Sequence, residues 1–280
     1  MLANRLNQKR VLTIQDVSCV GRCSLTVALP ILSAAGLETS ILPTAILSTH
    51  TGGFTGYTYR DLTSDIAPIA EHWESLGLKF DALYTGYLGS FEQLELVSSL
   101  FDRFKLDGGI ILIDPVMGDN GALYTGFTPE FAASMARLCA KSDVVVPNLT
   151  EAAFMLNEPY IGEGYDSGYI EGVLTRLRGL GANSAVLTGV SFEPGKIGVA
   201  TLDGGAVEYY FTERVDGYFH GTGDVYASVL LAYLGRGLRL HEAAAKAADF
   251  TLECIKLQLM SGGEPRYGVP FELCLGLLTR

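Results

Sequence analysis

The sequence lacks several features that would indicate other classes of protein. Its 280 residues carry 20 lysines and arginines against 31 aspartates and glutamates, a net charge of −11. This balance argues against nucleic-acid binding, because basic patches supply most of that affinity. The five cysteines are odd in number and form no CxxC pair, which indicates buried, reduced thiols rather than a disulfide framework or a zinc site. No apolar run reaches membrane-spanning length, so we expect a cytoplasmic protein that binds no membrane.

Several catalytic motifs are also absent. The chain contains no GxxxxGK[ST] P-loop, no GxSxG nucleophile elbow and no HExxH zinc motif. The stretch GTGDVY does not match the dinucleotide-binding GxGxxG fingerprint, because its third small residue is missing. A P-loop nucleotide site is thereby excluded.

Short apolar runs alternate with longer amphipathic runs along the chain, and hydrophobic residues make up 48% of it. We predict strands at 11–15, 39–46, 81–86, 108–115, 143–148, 184–189, 196–202 and 206–211, the last two joined as a hairpin. We predict helices at 25–35, 59–76 (broken or kinked at Pro68), 91–104, 129–140, 151–156, 169–180, 225–234 and 241–260. This alternation predicts one α/β domain over 1–280, with a mostly parallel central sheet and helices on both faces.

Polar residues and glycines follow the carboxyl ends of the predicted strands. They stand at 15–16, 48–53, 85–87, 114, 148 and 188–189. Because ligands of open parallel sheets bind beyond the carboxyl ends of the strands, these positions predict one composite site. Among the four histidines, His50 lies in such a loop and is the best candidate to line the site.

The most informative motif is Gly221-Thr222-Gly223-Asp224, which opens the apolar, helix-like run 225–234. A glycine-rich turn at a helix start presents free backbone N–H groups and the positive end of the helix dipole, so it can hold an anion. Asp224 places a carboxylate beside that anion, and accepting a proton from an attacking hydroxyl gives it a function there. The motif therefore predicts phosphoryl transfer with Asp224 as the base. Simple helix capping is the alternative.

Three further motifs follow predicted strands, and each also has a structural explanation. Asp114 begins DPVMGD and could simply end a strand before a turn. Asn148-x-x-Glu151 follows VVVP and makes a good capping box. Thr188 follows SAVL at the end of another strand.

In this order, strand-DPVMGD, strand-PNxxE, strand-TG and GTGD resemble the ribokinase superfamily, and within it the pyridoxal kinases. The segments VLTIQDVSCVGRCSLTVALPILSAAG and LSTHTGG are also similar to that group. The resemblance implies a ribokinase-like fold with no separate lid domain. It also implies a homodimer that uses ATP to phosphorylate the 5′-hydroxymethyl group of pyridoxal, pyridoxine or pyridoxamine.

For the acceptor side, the resemblance implies contacts from Asp16, Thr51, Gly52 and Tyr87. Asp16 stands where many pyridoxal kinases have a serine that contacts the pyridine ring. An aspartate can bond a protonated ring nitrogen or the 3-hydroxyl, and its charge favours the cationic aminomethyl group of pyridoxamine. Tyr87 is a candidate to stack on the pyridine ring.

For the nucleotide side, the resemblance implies contacts from Asp114, Asn148, Glu151 and Thr188, and Tyr124 is a further candidate contact from its place in the chain. Mg²⁺ would be held by Asp114 and by Glu151, directly or through water, since Mg²⁺ keeps several waters and needs few carboxylates. K⁺ is a further candidate cofactor. Tyr124 lies in the glycine-rich segment 117–128, which is a candidate lid.

Two other functions remain open. A hydroxymethylpyrimidine kinase would share the fold and the DPVM strand, although several members of that family carry Cys where this chain has Asp224. Sugar and nucleoside kinases usually add a β-lid, for which no segment is available. A non-catalytic binder of pyridoxal phosphate or nucleotide would be expected to have lost the base or the anion-holding turn, and both are present.

Overall fold

The computed structural model describes residues 8–279. Its strands are β1 (Arg10–Ser18), β2 (Glu38–Leu47), β3 (Tyr59–Asp61), β4 (Phe80–Thr85), β5 (Lys105–Ile113), β6 (Gly118–Asp119), β7 (Ala122–Leu123), β8 (Val144–Val145), β9 (Ser184–Val190), β10 (Lys196–Leu202) and β11 (Glu208–Glu213). Its α-helices are α1 (Leu25–Ala34), α2 (Thr63–Ser75), α3 (Phe91–Phe104), α4 (Pro129–Cys139), α5 (Leu149–Leu156), α6 (Ser167–Gly179), α7 (Thr222–Gly235) and α8 (Leu240–Ser261). Two 3-10 helices follow at Pro265–Tyr267 and Phe271–Leu277.

Nine strands form one sheet in the order β11-β10-β9-β8-β5-β4-β1-β2-β3, and β6 and β7 form a separate hairpin. The six central strands from β9 to β2 run parallel. Antiparallel strands complete both edges, with β10 and β11 on one side and β3 on the other. The predicted mostly parallel sheet with helices on both faces is confirmed, and all six carboxyl ends of the parallel strands meet at one edge.

Each face of the sheet covers its own hydrophobic core. Successive residues of β1 alternate between them, so that Val11 joins the core under α1, α7 and α8, whereas Leu12 and Ile14 join the core under α2, α3, α4 and α6. Large aromatic side chains such as Phe101 and Phe104 are fully buried in the second core. Burying one such side chain stabilises the fold by about 1.5–3 kcal/mol. No helix among residues 8–279 is both long and apolar enough to cross a bilayer.

Several predicted boundaries are wrong. The helix predicted at 59–76 begins at Thr63, because residues 59–61 instead pair with β2 as an edge strand. Pro68 lies inside α2 and does not end it. The strand predicted at 143–148 contains only Val144–Val145, since Pro147 follows and cannot donate to a ladder.

Two further expectations also need correction. Cys19 is exposed, whereas the other four cysteines are buried as predicted. It lies in the turn that follows β1, outside the core. The C-terminal 3-10 helices had not been predicted at all.

Candidate active site

The carboxyl edge of the parallel strands brings the predicted carboxylates together from distant parts of the chain. Asp16 lies in β1, Asp114 follows β5, and Asp224 stands in the first turn of α7. A Cβ atom built on Gly223 would lie 4.0 Å from Oδ2 of Asp114, so that carboxylate faces the glycine turn. Asn148 and Thr188 meet in a parallel bridge between the ends of β8 and β9. The sheet therefore brings these predicted residues together along one edge.

Gly221 shapes the turn that begins α7. It adopts a left-handed φ of +74°, and a Cβ atom there would lie 1.9 Å from the carbonyl oxygen of Arg22. No side chain caps this helix, since its N-cap residue is Gly221. The Thr222 hydroxyl donates to the carbonyl of Phe219 at 3.1 Å. The capping alternative therefore does not explain the motif. The first N–H groups of α7 are left for an anion.

Asp224 is partly accessible at the cleft, while protein atoms surround its carboxyl group. Burial raises the pKa of Asp224 to about 7, with a smaller contribution from the nearby charge of Asp16, and a hydrogen bond from the Ser24 backbone acts in the opposite direction. A carboxyl group with a pKa near 7 can accept and release a proton at neutral pH.

Asp16 is 4% exposed and accepts a hydrogen bond from the Ser18 hydroxyl at 3.0 Å. Burial raises the pKa of Asp16, while hydrogen bonds from Ser24 and Ser18 and the proximity of His50 lower it in part. The serine hydroxyls and Asp16 together form a polar wall on the acceptor side.

Ser24 and Cys23 belong to the site although they were not among the predicted residues. Ser24 has a φ of +54°, which is rare outside glycine and often marks functional strain. The Cys23 thiol lies close to both Asp224 and Asp16, and burial raises its pKa well above the usual value, so it stays protonated. Only the similarity of the N-terminal segment to a known family pointed to this region.

The N-terminus of α5 holds the β6–β7 hairpin. Asn148 and Glu151 form the predicted capping box, with each side chain accepting the other's backbone N–H at 2.9 Å. The Asn148 side-chain amide also donates to the carbonyl of Gly118 at 2.9 Å, and Glu151 Oε1 accepts the N–H of Met117 at 3.2 Å. Asn148 and Glu151 therefore both cap α5 and hold the β6–β7 hairpin.

Asp114 and Glu151 are 6% and 4% exposed and have no basic partner among the ion pairs of residues 8–279. Burial raises the pKa of Asp114, and the neighbouring carboxylates of Glu151 and Asp224 raise it further. Burial also raises the pKa of Glu151. Two uncompensated carboxylates fit a hard cation, although the described residues contain no cluster of three or more metal-binding side chains.

The predicted nucleotide contacts Thr188 and Tyr124 lie at the rim. The Thr188 N–H donates to the carbonyl of Pro147 at 3.0 Å, and its side chain is partly exposed. Tyr124 follows β7, is 38% exposed and lies near Tyr218. The segment 117–128 is thus a hairpin with a tail rather than an irregular loop.

Residues 50–54, named here the acceptor loop for the contacts that the sequence predicts there, follow β2. Thr51 is exposed, and the N–H of Gly52 donates to Nδ1 of His50 at 3.2 Å. Tyr87 stands on the other side, after β4, with its ring centroid 5.5 Å from that of Phe127. Burial raises the pKa of Tyr87, and the charge of Asp16 contributes, which indicates that the two residues are near each other.

Comparison with known proteins gives consistent matches over most of the chain. A model of the phosphomethylpyrimidine kinase family matches residues 32–267. The pyridoxal kinase of Lactobacillus plantarum superimposes with a TM-score of 0.89, at 33% identity and 96% coverage of both chains. A Bacteroides thetaiotaomicron protein, described as a candidate phosphomethylpyrimidine kinase and crystallised with pyridoxal, gives a TM-score of 0.91 at 36% identity, covering 98% of this chain and 96% of that one. The pyridoxine kinase of Bacillus subtilis is 31% identical over 186 residues, which is 64% of this chain and 65% of the Bacillus protein.

Proposed function

Because this chain belongs to the phosphomethylpyrimidine kinase family, we propose that it transfers the γ-phosphoryl group of ATP to the 5′-hydroxymethyl group of a vitamin B6 vitamer. The predicted membership of the ribokinase superfamily is confirmed, and the chain is a kinase with an alcohol acceptor. The acceptor, the donor and the roles of individual residues are part of the proposal.

The observation that carries the proposal is the position of Asp224 behind the Gly221 turn. Its carboxyl group has a pKa of about 7 and stands at the uncapped N-terminus of α7. One short segment thus supplies both an acceptor for a proton and a set of N–H donors for phosphate oxygens. That combination suits attack by an alcohol on a phosphoryl group.

In the proposed reaction, the acceptor oxygen forms a bond to the γ-phosphorus as the bond from that phosphorus to the β–γ bridging oxygen breaks. Asp224 receives the hydroxyl proton. The N–H groups of Gly221 to Asp224 stabilise the transferring phosphoryl oxygens, and the dipole of α7 adds to this. Full ionisation of the alcohol before attack is unnecessary if the transition state is loose.

On the nucleotide side, Asp114 would hold Mg²⁺ directly and Glu151 would act through water. Both Glu151 carboxylate oxygens already accept backbone N–H groups, which leaves Asp114 as the better direct ligand. When bound, Mg²⁺ neutralises charge on the phosphates. Asn148, Thr188 and Tyr124 would line the nucleotide path.

On the acceptor side, Asp16 would contact the pyridine ring, Tyr87 would stack on it, and the loop containing Thr51 and Gly52 would close over it. The negative charge of Asp16 favours pyridoxamine over pyridoxal. The proposal also includes a cytoplasmic location, a homodimer, one kinase domain over the whole chain and a requirement for K⁺.

A hydroxymethylpyrimidine kinase is the second candidate, since the matching family model is described as phosphomethylpyrimidine kinase, a name with the same substituted ring. Its acceptor is also a hydroxymethyl group on an aromatic nitrogen ring, so the same base and turn would serve. Asp224 favours the B6 acceptor on the basis of family resemblance alone.

The deciding experiment measures ATP-dependent phosphorylation of pyridoxal, pyridoxine, pyridoxamine and hydroxymethylpyrimidine side by side. We expect turnover of the B6 vitamers, with the highest kcat/KM for pyridoxamine. Replacing Asp224 by Asn should lower kcat about 10²–10⁴-fold, the usual cost of losing a general base, with ATP binding retained.

Asp216→Asn is the matched control, because Asp216 is exposed in the loop just before the same turn. It should leave kcat unchanged. Near wild-type turnover by Asp224→Asn would reject the base assignment. Phosphorylation of hydroxymethylpyrimidine alone would replace the B6 proposal with the second candidate.

A further inference from the structure

Residues 264–272, named here the C-terminal brace, contact the loops of the acceptor side although they contain none of the motifs. The brace comprises the first C-terminal 3-10 helix, Pro265–Tyr267, and the start of the second, Phe271–Leu277. It follows α8 and lies more than forty residues beyond the Gly221 turn in sequence. Its contacts fall on two loops, which in turn pack on that turn.

The first loop is residues 20–24, which precede α1. The N–H of Arg22 donates to the carbonyl of Tyr267 at 3.0 Å, and the Arg22 guanidinium pairs with Glu272 at 2.8 Å. The carbonyl of Arg22 is the group that leaves Gly221 no room for a side chain. Arg22 therefore stands between the brace and the anion-holding turn, in contact with both.

The second loop is the acceptor loop. Nε2 of His50 lies 2.6 Å from the carbonyl of Arg266, while its Nδ1 accepts the Gly52 N–H at 3.2 Å. A carbonyl can only accept, so Nε2 carries the hydrogen and the ring is held in one tautomer by bonds at both nitrogens. His50 is 8% exposed. It therefore joins the brace to the backbone of the acceptor loop.

Aromatic contacts reinforce this junction. The ring of Phe54 meets that of Tyr267 at 5.2 Å, edge to face, and the Arg266 guanidinium lies 5.2 Å from the Phe54 ring centroid. Such contacts stabilise a junction beyond the area that they bury.

His220 closes the arrangement from the opposite side. Its ring lies 5.0 Å from that of His50, and a Cβ atom on Gly52 would come within 2.7 Å of it. Since His220 directly precedes Gly221, the acceptor loop and the anion-holding turn are packed against each other. In the part of the chain that the structure describes, no hydrogen bond, ion pair or ring contact joins the brace to Asn148, Glu151 or Thr188.

We propose that the C-terminal brace positions the acceptor loop relative to the phosphoryl-transfer turn, with Arg22, His50 and Tyr267 as positioning residues. The identity of the acceptor rests on the proposed function, whereas the positioning does not. Displacing a reacting group by about 1 Å can cost up to a hundredfold in rate. Because the brace contacts the acceptor loop directly and the anion-holding turn only through Arg22, its disturbance should affect the acceptor far more than ATP.

Gly268→Ala tests the proposal. Gly268 has a φ of +82°, and a Cβ atom there would lie 2.6 Å from Cβ of Arg22 and 2.8 Å from its carbonyl oxygen. The substitution should push the brace away from Arg22. We expect KM for the best acceptor to rise about tenfold, with KM for ATP unchanged within about twofold.

Gly262→Ala is the matched control. Gly262 also has a positive φ, +63°, and a Cβ atom there meets nothing within 4 Å. It carries the same kind of backbone strain without the collision. Both kinetic constants should therefore stay at their wild-type values.

Tyr267→Ala keeps the test decisive if Gly268→Ala does not fold, since Tyr267 is 38% exposed and its loss leaves the core intact. We expect the same selective rise in acceptor KM, about three- to tenfold from losing the ring contacts. Hydrogen exchange gives a readout independent of activity: the N–H groups of Arg22 and Gly52 should exchange about tenfold faster in the variant, while those of β5 keep their protection.

Unchanged exchange at Arg22 and Gly52 in the Tyr267 variant, or equal effects on the KM values for acceptor and ATP, would overturn the brace proposal. A wild-type protein that phosphorylates no B6 vitamer would instead overturn the proposed function. The exchange measurement would still test the brace in that case.

Discussion

Gly221 carries the strictest steric requirement of any residue in the site. Its left-handed backbone and the carbonyl of Arg22 both exclude a side chain. A larger residue would have to move the loop at Arg22 or the start of α7, and either movement displaces the N–H groups that would hold the phosphoryl oxygens.

We predict that Gly221→Ala lowers kcat by at least about 10²-fold, the typical cost of losing a preorganised oxyanion donor. Gly204→Ala is the control, because Gly204 has the same φ of +74° in the β10–β11 turn and open space around it. Both variants should lose about 1 kcal/mol through backbone strain. Gly221→Ala should lose further stability through the collision with Arg22, and only this variant should lose activity. Equal kcat values in steady-state assays of the two variants would contradict this steric explanation.

At this scale the sequence predicted some site residues and missed others. Gly221 and Asp224 were predicted because a glycine turn before an apolar helix is a local pattern with a known electrical consequence. Ser24 was missed because its backbone φ cannot be inferred from the sequence. Its contact with Asp224 joins positions two hundred residues apart, and its contact with Asp16 depends on the fold of the turn after β1.

Among the secondary-structure elements, the N-terminus of α5 has two separable functions. Asn148 caps the helix through its side-chain oxygen and fastens the β6–β7 hairpin through its side-chain nitrogen. A hydroxyl at this position can still cap the helix. A serine hydroxyl is too short to reach the carbonyl of Gly118 as well.

We predict that Asn148→Ser retains most of the stability but raises KM for ATP, because the hairpin is loosened. Asn148→Ala should show the same KM increase and in addition lose about 1 kcal/mol, the usual value of an N-cap. Asp166→Ala removes the N-cap of α6. The Asp166 side chain accepts only the Tyr169 N–H, at 3.0 Å. The Asp166 variant should lose the same stability with an unchanged KM.

Thermal unfolding and ATP kinetics of the three variants separate capping from fastening. If Asn148→Ser matches wild type in KM for ATP, the hairpin contact has no role in nucleotide binding.

The long elements were predictable and the short ones were not. Helices such as α3 and α8 show a sustained apolar period, and β5 ends in a continuous apolar run at 110–113. Strand β3 has only three residues, all exposed, and exists because β2 offers it a free edge. The local pattern of residues 59–61 carries no information on such a partner, so the helix predicted at 59–76 wrongly included them.

Over the whole molecule, acidic charge is concentrated where the sheet strands end. Asp16, Asp114, Glu151 and Asp224 all have a pKa raised mainly by burial. None of them is in an ion pair with a basic residue in the described chain. The folded protein therefore holds protons more tightly there than the unfolded chain does.

We predict that the ligand-free protein becomes less stable as pH rises from about 5 to 8.5, because a raised folded pKa gives stability that is present at low pH and lost on passing that pKa. For Asp224 the loss runs from its ordinary pKa of 3.8 to the folded pKa of about 7 and is complete above that value. Melting temperatures across this range should fall with pH, and Mg²⁺ with ATP should reduce the fall by compensating the charge. A melting temperature that rises towards pH 8.5 would show that the four carboxyl groups are not strained by burial.

The overall architecture was predictable because β–α alternation with apolar strands has few solutions. The sheet-edge rule then predicted that the motifs share one edge of the sheet, and the structure has Asp114, Asn148 and Thr188 along that edge. The rule does not predict the contacts of segments without a periodic pattern, and residues 264–272 are the main example. Their contacts span more than two hundred positions, from Arg22 to Tyr267.

The bond between Arg22 and Tyr267 also has a consequence during synthesis. A ribosome makes residues 10–213, the entire sheet, before the residues that complete the acceptor side leave the exit tunnel. A nascent chain could therefore assemble its sheet and expose the acidic cleft while its acceptor loop still lacks a partner for His50. The packing of residues 50–54 can be completed only after residues 264–272 have been made, so this junction forms later than the sheet.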